Sequence, residues 1–382
     1  MSSVHGAFAH TPGHRSTLRM LVVAVVAALV TTVLTGVAPA QAAKPRPAKI
    51  ASSWLTRQLT DGLVYNAQYG VNDYGLTLDV GLAKKQFGDK RRVAAIRTAM
   101  AGHVASYTTG ADYGTADVYG GPTAKLAVFA QVSGAKAKNY GGVNLIKQLA
   151  GRISGTAPIK GRLQDNSEWG DYANVIGQSY AVRALNKARH AEADEALAFL
   201  LKQQCPAGYF RLDFTVDTSS SAQACDPTAK TTTSAPDTDV TALAVINLSA
   251  LRNPTPKVQK AIKLATRWLV AKQGDNGSFG GGLSTEAANS NSTGIASWAL
   301  GAVGKCTQAK AAAGWLKKLQ VRATTDPFVV GAKGAIAYDA TALAAAQAAG
   351  SLAVAAKDQW RRSSSQAAPA LLNLRVRLCE AR

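Results

Sequence analysis

Residues 234–248 read SAPDTDVTALAVINL, in which a polar start with Asp237 and Asp239 is followed by a run that is apolar almost all round. Helices that are apolar on every side are typically buried on every side. Runs of this kind recur at intervals of roughly fifty residues, which indicates a repeat architecture. They are centred near Leu82, Leu126, Tyr180, Leu243, Ile295 and Leu343.

Helices of a second kind alternate with these runs. In residues 257–272, Ala261, Ala265 and Leu269 follow the helical period, whereas the lysines fall elsewhere. Six amphipathic helices that cover six apolar ones predict an all-α fold, an α/α toroid of six helical hairpins with an inner and an outer ring. We assign the toroid to residues 44–350 and expect residues 351–382 to pack on it as a C-terminal segment.

The turns between the two kinds of helix also repeat. Residues 272–280 read KQGDNGSFG and residues 203–210 read QQCPAGYF, and we interpret residues 163–170, LQDNSEWG, as a further copy with Trp169 as its aromatic residue. Glycine permits the positive φ that ends a helix, and a glutamine amide can bond free backbone groups at a neighbouring helix end. The repeated residues are Gln204, Gly208, Phe210, Gln273, Gly277 and Phe279.

The pattern Gln-x-x-x-Gly-x-Phe/Trp resembles the QW repeat of squalene–hopene and oxidosqualene cyclases. The ring of six hairpins is similar to the α/α toroid of the terpenoid cyclase and protein prenyltransferase superfamily, which transcobalamin-like proteins share. In cyclases that protonate an alkene or epoxide, the acid lies in Asp-x-Asp-Asp-Thr-Ala at the start of an inner helix. Residues 237–242 read DTDVTA, so the resemblance implies Asp239 as proton donor and Asp237 as its neighbour, with Val240 replacing the third aspartate.

The residues themselves favour another role for these aspartates. Aspartate is a preferred helix N-cap, typically worth about 1 kcal/mol, and other repeats also open on polar residues. A carbocation needs aromatic faces around it, but only 7% of the residues are aromatic and Ala, Leu and Val dominate the inner runs. Capping, ligand contact and proton donation are therefore all open, with capping favoured.

Polar and aromatic residues near the starts of inner helices are candidates for ligand binding, because a toroid opens there into a concave apolar cavity. Each of them can instead cap a helix or pack in the core. The candidates are Trp169, Tyr172, Gln178, Asn291, Trp298, Tyr338 and Asp339.

The first 43 residues have the pattern of a cleaved export signal. Arg15 and Arg19 precede an apolar run at residues 21–37, and the small residues of APAQAA at 38–43 suit signal peptidase. The alternative is an uncleaved membrane anchor. We expect a monomeric protein, secreted or associated with the cell envelope, that has no stable membrane span after cleavage.

Four cysteines after an export signal predict two disulfides. Of the three possible pairings, we favour Cys205–Cys225 and Cys306–Cys379. The histidines and cysteines lack the spacing of a zinc site, so we expect no metal and no cofactor. The net charge of +20 predicts attraction to anionic polymers or lipids, but the basic residues are scattered along the sequence without a nucleic-acid motif, so we expect no nucleic-acid partner.

These features predict an exported, non-catalytic toroid protein that binds an apolar or amphipathic molecule, or an envelope polymer, at the mouth of the toroid. Two alternatives remain. One is a terpene cyclase-like isomerase that protonates a polyprenyl substrate with Asp239, and the other is a transcobalamin-like carrier of a small molecule.

Overall fold

The fold is built from hairpins in which one helix faces the centre of a ring and the next helix covers it. A computed structural model describes residues 43–228, 234–323, 325, 327–376 and 379. The export signal predicted at residues 1–43 lies outside the described residues, apart from Ala43. From Ala43 onward, the described residues form one compact unit.

The described residues form helices in regular succession along the chain, with one short hairpin of strands, β1 (Tyr65–Asn66) and β2 (Val71–Asn72), between the first two. In chain order the helices are α1 (Arg46–Thr56), α2 (Tyr74–Gln86), α3 (Lys90–Ala101), α4 (Val104–Thr108), α5 (Gly120–Val132), α6 (Leu145–Ala150), α7 (Val175–Ala188), α8 (Ala193–Lys202), α9 (Thr238–Ser249), α10 (Pro256–Lys272), α11 (Ser290–Ala302), α12 (Cys306–Lys318), α13 (Ala340–Ala349) and α14 (Val354–Ala367). Short 3₁₀ segments, Ala111–Tyr113 and Ala368–Leu374, precede α5 and extend α14.

The inner ring consists of α2, α5, α7, α9, α11 and α14, each of which contacts the next, and α14 contacts α2 to close the ring. The outer helices α3, α6, α8, α10 and α12 cover the first five of these, and α1 covers α14 together with its 3₁₀ extension. The first outer helix of the described chain thus pairs with the last inner helix. The α/α toroid predicted from the periodicity is confirmed by this arrangement.

Side-chain caps fix where four of the inner helices begin. Asp73, Asn174, Asp237 and Asn289 are the N-caps of α2, α7, α9 and α11, and each accepts hydrogen bonds from backbone N–H groups of the first turn. Such a cap is worth about 1 kcal/mol because it satisfies N–H groups that have no partner within the helix.

A second polar residue, four positions after each of these caps, ties the inner helix to the turn before it. In α9, for example, the Thr241 hydroxyl accepts the N–H of Phe210 at 2.9 Å. The pairs of this kind are Thr77 with Val64, Gln178 with Leu163, Thr241 with Phe210, Thr293 with Phe279 and, in α14, Ser364 with Ile336. These bonds set the inner helices in one common register.

Each glutamine turn connects one outer helix to the next outer helix along the ring. Gln204 Nε2 donates to Gly208 O and to Ala261 O of α10, and Gln273 Nε2 makes the equivalent bonds to Gly277 O and to Gln308 O of α12. The two glycines have φ of +107° and +91° and lie against backbone of the next outer helix. The aromatic residues of these turns, Phe210 and Phe279, are buried.

Residues 163–170, interpreted above as a further copy of this turn, do not form one. Trp169 is 71% exposed, whereas the glycine with positive φ that meets the next outer helix is Gly161, against Glu195 O of α8. A further turn that the sequence analysis missed follows α12, where Gln320 Nε2 donates to Gly334 O and to Pro47 O of α1. Its glutamine and glycine are fourteen residues apart, which hides the motif.

The sixth inner helix also differs from the one expected. The alanine-rich run near Leu343 forms α13, in which only Ala346 is buried, and α14 takes its place in the ring. Trp360 and the serines at 363–365 are buried in α14. The region after Gly350, which we expected to pack on a finished ring, therefore supplies the helix that closes it. An alanine-rich surface gives little free energy of burial, so α13 can lie outside the ring.

Both expected disulfides, Cys205–Cys225 and Cys306–Cys379, are present. The first closes the irregular loop between α8 and α9, and the second ties the start of α12 to the C-terminal region. Across the described ranges, none of the helices has the length and apolar character that a membrane crossing requires.

Candidate functional site

A cavity of about 490 Å³ lies inside the ring, towards the N-terminal ends of the inner helices. Each of the six inner helices contributes one side chain to the cavity from the same position. This residue comes two positions after the polar residue that bonds the preceding turn, or at the equivalent position in α5. These residues are Asp79, Lys125, Tyr180, Leu243, Ile295 and Gln366. The common register of the inner helices thus determines which side chains face the cavity.

An ion pair occupies one side of the cavity. Lys125 Nζ lies 2.6 Å from Asp79 Oδ1 and donates to Gly75 O at 3.1 Å. Burial by itself lowers the pKa of Lys125, but the nearby Asp79 carboxylate outweighs it, and the pKa is raised overall. Lys125 therefore keeps its charge at neutral pH, and the pair is electrically neutral as a unit.

Two tyrosines flank this ion pair. Tyr107 of α4 and Tyr180 of α7 both line the cavity, and burial raises the pKa of Tyr107 to about 12 and also raises that of Tyr180. Both phenols are thus protonated at neutral pH. Neither hydroxyl has a hydrogen-bond partner among the described residues, so both are free to bond a ligand.

Much of the remaining lining is apolar. It includes Leu82, Ile176, Leu243, Ile295 and Trp298, which come from α2, α7, α9 and α11. The site therefore combines an extended apolar wall with one polar pole, the arrangement typical of a small-molecule site.

Aromatic residues are more frequent in the cavity than the composition of the inner runs suggested. Of the twenty lining residues, five are aromatic: Tyr107, Tyr119, Tyr172, Tyr180 and Trp298. Three of them come from α4 and from the loops before α5 and α7. Their sequence context is not that of an inner helix, and only the tertiary structure brings them to the cavity.

The loops before α5 and α7 are joined at the mouth. Asp117 accepts hydrogen bonds from the Ser167 hydroxyl at 3.0 Å and from Glu168 N at 3.2 Å. Asp165 accepts from Gly120 N and from Tyr172 N, and burial raises its pKa although these bonds oppose the shift. The network holds Tyr172 against the cavity.

The two aspartates of the DTDVTA segment have separate positions. Asp237 caps α9, with its Oδ1 accepting Asp239 N at 2.8 Å and Val240 N at 3.0 Å. Asp239 lies in the first turn of α9, one helical turn before the cavity residue Leu243, and is not itself among the lining residues. Burial, followed by repulsion from Asp237, raises the pKa of Asp239 to about 6. Gly281, in the loop before α11, lies directly beside its carboxylate.

The other candidates divide between the cavity and the framework. Trp298 and Tyr172 line the cavity. Trp169 is exposed and lies beside Tyr172, because the Tyr172 hydroxyl donates a hydrogen bond to the carbonyl oxygen of Trp169. Gln178, in contrast, is fully buried, and its amide bonds Leu163 N, Gly161 O and Ala196 O within the framework.

The remaining three candidates lie near the start of α11 or of α13. Asn291 is in the first turn of α11, with Oδ1 buried and unbonded. Tyr338 O accepts Ser290 N at 2.8 Å, and Asp339 caps α13 by accepting Ala342 N. None of these three lines the cavity.

Sequence reasoning missed Lys125, Tyr107, Tyr119 and Asp165 as site residues. The signal that could have revealed the ion pair is a lone charge in each of two apolar runs, Asp79 in GLTLDVGLA and Lys125 in GPTAKLAVFA. A buried charge requires a partner, so two such runs on neighbouring inner helices predict a pair. Within the described part of the chain, no group of three or more His, Cys, Asp or Glu side chains is placed to hold a metal ion.

No protein-family model and no curated protein matches the sequence. Solved structures with the same fold include a protein from Actinoplanes, with a TM-score of 0.56 and 16% identity over 87% of this chain and 98% of that one. The unsaturated glucuronyl hydrolase of Bacillus sp. GL1 has a TM-score of 0.54 and 13% identity over 86% and 95%. The type II terpene cyclase MstE from Scytonema has a TM-score of 0.54 and 15% identity over 85% and 98%. The chain therefore has the α/α-toroid fold, which it shares with these cyclases and hydrolases.

Proposed function

We propose that this protein binds an uncharged apolar molecule bearing an oxygen group, in the cavity of the toroid and outside the cytoplasm. The observation that carries the proposal is the pair of unbonded hydroxyls of Tyr107 and Tyr180, beside the neutral Asp79–Lys125 pair, in a cavity that is also lined by apolar side chains. The hydroxyls can donate to a carbonyl, hydroxyl or ether oxygen of the ligand. The two disulfides fit the oxidising compartment that the export signal implies.

Binding is favoured over catalysis by the state of the charged groups. Lys125 is protonated and held by Asp79 and Gly75 O, so its amine is not available as a nucleophile at neutral pH. A charged group that came between Lys125 and Asp79 would separate this pair, at a cost of several kcal/mol. An uncharged ligand leaves the pair intact.

Filling the cavity should remove the ligand. Leu243→Trp places a larger side chain into the empty space beside Ile295, and we expect the amount of small molecule that copurifies with the secreted protein to fall about tenfold, which corresponds to about 1.4 kcal/mol. Solvent extraction followed by mass spectrometry measures this. The matched control is Val216→Trp, at a position that is 84% exposed. Equal ligand contents in wild type and both variants, or no ligand in any of them, would contradict the proposal.

Removing one hydroxyl should weaken recognition of the ligand's oxygen. For Tyr107→Phe we expect the preference for decanol over decane, measured by displacement of a fluorescent fatty alcohol, to fall about fivefold, because one hydrogen bond worth about 1 kcal/mol is lost. Tyr69→Phe, at a residue that is 68% exposed, is the control. Loss of decane and decanol binding in parallel would show a change of shape instead.

A second candidate is acid-initiated isomerisation of a polyprenyl substrate by Asp239. It is supported by the raised pKa of this residue, about 6, and by its buried and unbonded Oδ1. Below about pH 6, where this carboxyl is protonated, it has the chemical state that a general acid needs. Incubation with squalene and with geranylgeraniol, and gas chromatography of the products, tests it. Cyclic products from the wild type that are absent with Asp239→Asn are the expected result for this candidate.

A further inference from the structure

Five of the six outer helices carry basic residues and no acidic ones. Within their bounds, α1, α3, α6, α10 and α12 together contain fifteen lysines and arginines, and thirteen of these side chains are exposed. We call the exposed set the basic belt. It consists of Arg46, Lys49, Lys90, Arg91, Lys147, Lys257, Lys260, Lys263, Arg267, Lys272, Lys310, Lys317 and Lys318.

The ring places these five helices next to one another although they are far apart in the sequence. Around the outside the order is α10, α12, α1, α3, α6 and α8, because each covers one inner helix in ring order. Only α8, which carries Asp194 and Glu195, interrupts the basic surface. The basic residues, which are scattered along the sequence, therefore lie on five consecutive outer helices, in an arc around most of the toroid.

The charges of the belt are not neutralised within the described part of the molecule. The ion pairs there involve Lys84, Lys125, Lys160, Arg162 and Arg362, none of which belongs to the belt. Several acidic residues, such as Asp73, Asp117 and Asp237, lie instead at the N-terminal ends of inner helices or in the loops before them. A surface of one sign on this scale attracts a partner of the opposite sign over about one Debye length.

The shape of the arc selects between anionic partners. A flat membrane meets one side of a ring and leaves most of the belt in water, whereas a flexible chain can follow the arc from helix to helix. Single-stranded nucleic acid is bound mainly where exposed aromatic side chains stack with its bases. Among the residues that the structure describes, the exposed aromatic ones are Tyr65, Tyr69, Tyr113, Trp169, Tyr172 and Phe328, and all of them lie outside the five belt helices.

We propose that the basic belt binds a flexible polyanion whose charges are backbone phosphates without bases, of the poly(glycerol phosphate) class found in cell envelopes. The interaction is electrostatic and uses many equivalent contacts. It is separate from the cavity, so the protein can hold a small molecule while it is retained on the polymer.

The test uses the full secreted protein with its disulfides formed, and fluorescently labelled poly(glycerol phosphate). We expect the affinity to fall steeply between about 50 and 200 mM salt as counterions return to the polymer. Reversing three charges of α10 in the variant Lys257→Glu, Lys260→Glu, Lys263→Glu should lower the affinity about tenfold. It should also reduce the slope of log K against log salt by about 2, at roughly 0.7 per contact for a single flexible strand.

The matched control reverses three exposed lysines outside the belt, in the variant Lys187→Glu, Lys202→Glu, Lys357→Glu. This variant changes the net charge by the same amount as the belt variant. Its affinity for the polymer should stay within about twofold of that of the wild type. Equal losses in the two variants would overturn the proposal, because net charge alone would then explain binding. Binding to single-stranded DNA of equal phosphate number, or to phosphatidylglycerol vesicles, that is as tight as binding to the polymer would also overturn it. Leu243→Trp should leave polymer binding unchanged, which separates this proposal from the cavity ligand.

Discussion

Replacement of Gly334 by alanine is expected to lower the free energy of unfolding by about 4 kcal/mol. Gly334 has a φ of +100°, and a Cβ there would lie 2.2 Å from Ile50 O and 3.0 Å from the Cβ of Trp54. The backbone of α1 cannot easily move away from the added methyl group, because Gln320 of the same turn also donates a hydrogen bond to Pro47 O of α1. This turn joins the last outer helix to the first, so the added methyl group pushes the ring open where it closes.

Gly331, three residues earlier, provides a matched control. It also has a positive φ, +71°, but a Cβ there meets nothing within 4 Å. Gly331→Ala should therefore cost only about 1 kcal/mol, from the backbone conformation alone. Urea unfolding followed by circular dichroism measures both variants. Similar losses for the two substitutions would mean that the close approach of the turn to α1 does not stabilise the ring.

Asp239→Asn is expected to raise the free energy of unfolding by about 2 kcal/mol near pH 7.5 and to leave it unchanged near pH 4. The folded protein raises the pKa of Asp239 from its ordinary 3.8 to about 6, which corresponds to about 3 kcal/mol of destabilisation once the group is ionised. Stability from this group is therefore greatest below pH 3.8 and declines as the pH rises to about 6. Asparagine stays neutral, but it loses the favourable interaction of a negative charge with the helix N-terminus, which is worth about 0.5 kcal/mol.

The companion variant Asp237→Asn separates the two causes of this shift. Asparagine caps a helix as well as aspartate does, so the α9 cap is retained while one negative charge is removed. The pKa of Asp239 should then move back towards its ordinary value, and the decline of stability should occur at lower pH. Unfolding curves measured across pH 3 to pH 8, at intervals of about one unit, test this. An Asp239→Asn variant with no gain at pH 7.5 would show that the ionised carboxylate is well solvated.

The sequence alone predicted much of the framework. The alternation of amphipathic and apolar helices predicted the toroid, because a helix buried on all sides must be covered by others. The Gln273 and Gln204 turns were found because their residues are close together in the chain. The sixth inner helix was misplaced because α13 is rich in alanine and α14 in serine, and composition does not reveal which of two neighbouring helices pairs with α1.

The polar pole of the cavity could be predicted only in part. The lone charges of Asp79 and Lys125 in apolar runs suggest a buried pair, but Tyr107 comes from the short helix α4 and gives no such signal. Its place in the cavity depends on how the loop before α5 folds over the ring. For Asp237, in contrast, the local sequence was sufficient, and the helix cap expected from its position is present.

The sequence by itself determined the first five inner helices and the amphipathic helices that cover them, because these depend on residues within a few turns of one another. The tertiary structure decided how the ring closes, which side chains line the cavity and that the lysines of distant helices form a belt. Those features depend on contacts between segments that are far apart in the sequence, and no local pattern encodes which segments will be neighbours around the ring.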